Sequence, residues 1–79
     1  MAKFYFTFGS DPAYPYGRNE YVQVNAPDMY SAVKIYQRHH PNREGSRLVN
    51  CADYYNEATF MKFRDEFYRG KEPAEVLEY

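Results

Sequence analysis

Lys3-Phe4-Tyr5-Phe6-Thr7-Phe8 alternates without a break. In an extended chain Phe4, Phe6 and Phe8 fall on one side, and Lys3, Tyr5 and Thr7 on the other. Strict alternation of aromatic and β-branched residues marks a strand with one face turned to a core. Gly9 ends the run. Residues 9–19 hold two Pro and two Gly and read as a loop. Period two resumes over residues 20–25, with Val22 and Val24 on one side and Tyr21 and Gln23 on the other. The two strands are expected to pair as an antiparallel hairpin, joined by a loop longer than the turn requires.

Beyond the hairpin the period changes. Asp28 follows Pro27 and suits the N-cap of a helix. Met29, Ala32, Val33, Tyr36 and His40 then recur at helical spacing, which predicts a helix over 29–39. Pro41 stops it, because the residue before a proline avoids helical backbone. Residues 41–46 read as a polar loop. Arg47 to Cys51, centred on Leu48 and Val49, is expected to form a short strand. Asn56 suits the cap of a second helix over 57–69, with Phe60, Phe63 and Phe67 on its apolar face and Gly70 at its end. Residues 75–79 suggest a C-terminal edge strand after Pro73. The order is strand, strand, helix, strand, helix and a final edge strand. This predicts a single α+β domain over 1–79, a small antiparallel or mixed sheet with both helices packed on one face. Phe6 and Phe63 are then expected on facing elements.

Ten Tyr and six Phe stand among the 79 residues, and Trp is missing. With so few aliphatic residues, rings must form most of the core, since each buries roughly 150–250 Å². Ten hydroxyls cannot all be buried with partners, so some Tyr must face water or another molecule. The net charge of −1 and a pI near 6.1 argue against general nucleic-acid binding. Basic residues gather in the middle of the chain and acidic ones towards its end. The single Cys51 allows no intrachain disulfide and suits a reducing compartment. No run approaches the roughly 20 apolar residues of a membrane span, and the N-terminus lacks a signal-peptide pattern. A cytoplasmic protein is expected.

Four places invite a functional reading. In the loop Tyr14-Pro15-Tyr16-Gly17-Arg18, Tyr14, Tyr16 and Arg18 form a candidate partner-binding surface, because Tyr and Arg are favoured binding anchors. The same rings would equally serve as a flap over the edge of the core. Arg38, Arg43 and Arg47 are candidate phosphate or ligand contacts, with a Tyr to stack a base; a solvated loop is the simpler reading. His39 and His40 point about 100° apart on a helix and do not form a metal pair, so favourable contact with the helix dipole explains them better. Cys51, between Asn50 and Ala52, reads as a small buried residue rather than a nucleophile. No catalytic constellation, metal spacing or phosphate loop is present. The expectation is a non-enzymatic protein with no cofactor and no metal.

Three segments taken in order, Phe4-Tyr5-Phe6-Thr7-Phe8-Gly9, Tyr14-Pro15-Tyr16 and Asn50-Cys51-Ala52-Asp53-Tyr54-Tyr55, resemble small proteins without assigned activity encoded by phages and mobile elements of gut Firmicutes. The resemblance implies a protein made inside a bacterial host cell. Small phage proteins often act as stoichiometric inhibitors, anti-CRISPR and other anti-defence proteins among them. The leading expectation is an interaction protein that binds and blocks a host protein. A small-ligand or nucleotide-signal sponge using Arg38, Arg43 or Arg47 is the alternative, and a structural or regulatory phage protein a third. A homodimer is also expected, because a small domain with many exposed rings can bury them on a copy of itself.

Overall fold

The structure is a computed structural model that describes residues 1–79. Strands β1 (Ala2–Thr7) and β2 (Tyr21–Ala26) form the expected hairpin, with Phe4 opposite Val24 and Phe6 opposite Val22. Helix α1 (Met29–His39) follows, then β3 (Asp53–Asn56), α2 (Glu57–Phe67) and β4 (Glu75–Glu78). The sheet order is β3-β1-β2-β4. β3 lies antiparallel to β1 and β4 parallel to β2, so the sheet is mixed and the α+β class holds.

The helix starts follow local chemistry. The Asp28 carboxylate accepts from the Ser31 amide at 2.8 Å, and the Asn56 side chain from the Thr59 amide at 2.8 Å. Each satisfies one of the amides that a helix start leaves free. At the far end of α2, Gly70 takes a φ of 72° within a turn closed by Lys71 N–H donating to Tyr68 O. That left-handed backbone suits Gly.

The helices do not share a face. α1 covers the side of Phe4, Phe6, Phe8, Val22 and Val24, where Ala32, Ile35 and Tyr36 complete an 11-residue core with Ala26, Cys51 and Leu77. α2 covers the other side, where Phe60 packs with Tyr5, Tyr21 and Tyr68. The reason is topological. The connection from β2 to β3 crosses the sheet in one direction, and that from β3 to β4 crosses back. Both join parallel strands, and such crossovers strongly favour one hand. Two crossovers of one hand running in opposite directions must use opposite faces. Phe6 and Phe63 are therefore on opposite sides of the sheet; Phe6 is fully buried and Phe63 only partly.

Two further expectations change. Residues 47–51 form no strand; the third strand lies at Asp53–Asn56. Leu48 is instead 78% exposed. On α2, Phe60 is buried but Phe67 is 59% exposed, because the helix leans on β1 and β3 through its first turns only.

Candidate functional site

The strand directions gather the long connections at one end of the sheet. β2, β3 and β4 all start where β1 finishes. Loops 8–20, 40–52 and 68–74 therefore meet there, while the opposite end has only short links. Surfaces built from loops on a rigid scaffold are where binding residues concentrate. Tyr14, Tyr16, Arg18, Arg43 and Arg47 all lie in the loops at this end.

The first two loops are joined. Asp11 caps its own turn by accepting from the Ala13 amide at 2.9 Å, and Arg43 donates to the same carboxylate at 3.3 Å. The guanidinium of Arg43 also lies 4.7 Å from the centre of the Tyr14 ring. The Ala13 hydrogen bond, followed by the Arg43 contact, holds the Asp11 carboxyl below its ordinary range. Gly45 takes a φ of 77° in the turn that brings Ser46 N–H to Arg43 O, which lets the second loop fold back onto Tyr14.

Tyr14 and Tyr16 are half-buried. Their rings lie 6.4 and 5.4 Å from the ring of Phe8, so both take the flap position over the core edge. Arg18 stays exposed in a polar recess formed by its own loop. Arg38 is exposed on the last turn of α1 and shares no recess with Arg43 or Arg47. The three arginines therefore do not converge on one point.

Two adjoining recesses flank Tyr14, Leu48 and Val49. The smaller, about 60 Å³, is bounded by Arg43, Ser46 and Asn50. The buried Oδ1 of Asn50 has no hydrogen-bond partner there. The larger is an open groove of about 490 Å³, completed by Arg47, Cys51, Ala52, Asp53 and Tyr54. Six of its eight lining residues are apolar or aromatic, but its exposed surface is about half polar, and Tyr54 is 41% exposed. Sequence reading placed Leu48 and Val49 inside a strand and so missed this surface. Asp53-Tyr54-Tyr55-Asn56 is too short for its alternation to register as a strand.

Cys51 sits at the floor of the groove but belongs to the core. Burial, followed by the nearby Asp53 charge, pushes its thiol up to about 12, which leaves it protonated and poorly nucleophilic near neutral pH.

A polar cluster that sequence reading did not find pins the same end. His40 Nε2 is paired with a carboxylate oxygen of Glu75, and the His40 ring lies 5.0 Å from Tyr36 and 5.9 Å from Tyr16. Burial alone would raise the Glu75 carboxyl, but hydrogen bonds from His40 and Tyr16 outweigh it and lower the value. His40 thus ties the end of α1 to β4 rather than only meeting the helix dipole. Nothing in the sequence links residues 35 positions apart.

No helix is long and apolar enough to cross a membrane. No family model, curated protein or solved structure matches this chain.

Proposed function

We propose that this is a non-enzymatic interaction protein that binds and blocks a host protein through the loop end of its sheet, in the manner of phage-encoded anti-defence inhibitors. The observation that supports it most is the exposed Leu48 beside Val49 and Tyr54, in an open groove of about 490 Å³ whose exposed lining is about equally apolar and polar and which Arg47 edges. Exposed apolar groups framed by charge are what protein partners cover. Tyr14 lines the groove and packs on the core, whereas Arg18 lies in the separate recess of its own loop. The cytoplasm of the bacterial host is the compartment this reading assigns.

A nucleotide sponge has less support. The recess at Arg43, about 60 Å³, is far below the roughly 300–1,000 Å³ of ligand pockets, and the groove of about 490 Å³ has the size but brings only one arginine, Arg47, to its lining. Arg43 is already engaged by Asp11 and Tyr14, and Arg38 stands apart.

The test is expression in bacteria carrying a defined defence system, with phage plating efficiency as the readout and affinity capture to identify what is bound. Leu48→Asp combined with Arg47→Glu should abolish protection and capture while the melting temperature stays within a few degrees. Tyr14 is a poor probe, because its ring also supports the fold. A folded double variant that still protects and captures as well as wild type would remove the groove from the proposal. Retention of a nucleotide from cell extract, with no protein captured, would favour the sponge.

A further inference from the structure

We infer that the free edge of β3 pairs antiparallel with β3 of a second copy, joining two four-stranded sheets into one of eight strands centred on Tyr54. The order β3-β1-β2-β4 leaves two edges. An unpaired edge is a template for another strand unless charge or covering blocks it. β4 is Glu-Val-Leu-Glu, so its edge carries two carboxylates in four residues. β3 is Asp-Tyr-Tyr-Asn and carries one. Apolar groups flank β3 on both faces. Tyr54 and Leu48, 41% and 78% exposed, stand on the α1 side. On the α2 side Tyr55 packs on Phe63, and Phe63 on Phe67. A strand added here would find backbone partners and ring surface above and below.

The second copy is favoured because β3 is complementary to itself in one register. A two-fold axis normal to the sheet keeps each face continuous, so paired residues must come from the same face. Tyr54 and Asn56 share the Phe6 side, whereas Asp53 and Tyr55 share the Tyr5 side. Two registers pair three residues of each strand, one centred on Tyr54 and one on Tyr55. Centring on Tyr55 runs the next rung into Glu57, where the chain has already turned into α2, so the ladder stops there and that carboxylate is brought towards Asp53 of the second copy, where like charges repel. Centring on Tyr54 places Asp53 opposite Tyr55 and Ala52 opposite Asn56, with the two Tyr54 rings side by side. Aromatic cross-strand pairs stabilise a sheet. This pairing uses the backbone edge of β3 and covers Tyr54, which also lines the groove, so the dimer and a host partner compete for that part of the surface.

Sedimentation equilibrium of the wild-type chain should show a dimer in the micromolar range. Tyr54→Cys in a Cys51→Ala background should oxidise to a disulfide-linked dimer, since opposed Cα atoms lie about 4.5–5.5 Å apart, within disulfide reach. Val76→Cys on the β4 edge should not. Tyr54→Lys opposes two ammonium groups and should weaken the dimer by roughly tenfold or more, with the melt of a dilute sample showing that the monomer still folds. In the wild type, amide protection over residues 53–56 should rise with concentration, a readout that survives if a variant fails to fold. A chain that remains monomeric at several hundred micromolar would overturn the proposal. So would a dimer that cross-links through Val76 and not through Tyr54.

Discussion

Under α1 the sheet presents Phe4, Phe6, Phe8, Val22 and Val24; under α2 it presents Tyr5, Thr7 and Tyr21. The first side is a broad core, with Phe6 stacked on Tyr36 at 4.3 Å and 2°. The second is a narrow cluster of rings, with Phe60 stacked on Tyr5 at 4.2 Å and 7° and Tyr21 and Tyr68 around it. Hydroxyls play different parts on the two sides. Tyr36 crosses the broad core to donate to Asn50 O at 2.8 Å, tying α1 to the loop that carries Leu48. Tyr21 donates to Lys71 O at 2.8 Å and holds the approach to β4. In this way the chain makes a two-sided sheet with few aliphatic residues. One face is filled mainly by Phe and Val, with the single Tyr36 tip reaching a loop; the other is built mainly from Tyr, three rings around Phe60.

The sharpest challenge to that contrast is a pair of truncations. Phe6→Ala removes a fully buried ring from a core closed on all sides and should cost about 3–5 kcal/mol in urea denaturation. Phe60→Ala should also destabilise, by about 3 kcal/mol, because rings near the rim of the smaller cluster can settle into the gap. If Phe60→Ala proves the costlier of the two, the ranking of the faces is reversed.

Smaller effects separate the hydroxyls. Tyr36→Phe leaves the Asn50 carbonyl without its donor in a partly buried place, for a loss of about 1–2 kcal/mol. Amide exchange in 41–52 should speed up at the same time. Tyr21→Phe should cost about 1 kcal/mol and loosen residues 71–78 instead. Equal loosening of both segments in both variants would show that the two faces do not anchor separate loops.

The slightest expected change depends on pH. Glu75 has a folded value below its ordinary 4.5, so its contribution is present above that value and fades as pH falls through the lower folded one. Glu75→Gln should therefore flatten the acid side of the stability profile below about pH 4.5, with little change in slope above it. A variant whose acid limb is as steep as wild type would assign acid unfolding to other carboxylates, of which Asp11 and Asp28 are also lowered.

The hairpin, both helix starts, the span of α1 and the α+β class were legible in the sequence. They rest on period two, period 3.6 and single capping residues, all of which act within a few positions. Tertiary structure alone decided the rest. Placing the helices on opposite faces required the order β3-β1-β2-β4, because the hand of a crossover has meaning only once strand positions are known. β3 exists as a strand because β1 offers its free edge to Asp53–Asn56, not through any propensity of four residues. Tyr14 and Tyr16 read equally well as binding groups or as a flap, and only the position of Phe8 put both rings against the core. Leu48 reads as strand core and is solvent-exposed, because burial depends on what the rest of the chain brings to a residue. His40 and Glu75 meet only because α1 ends where β4 begins, and the distance along the chain hides what parallel pairing brings together.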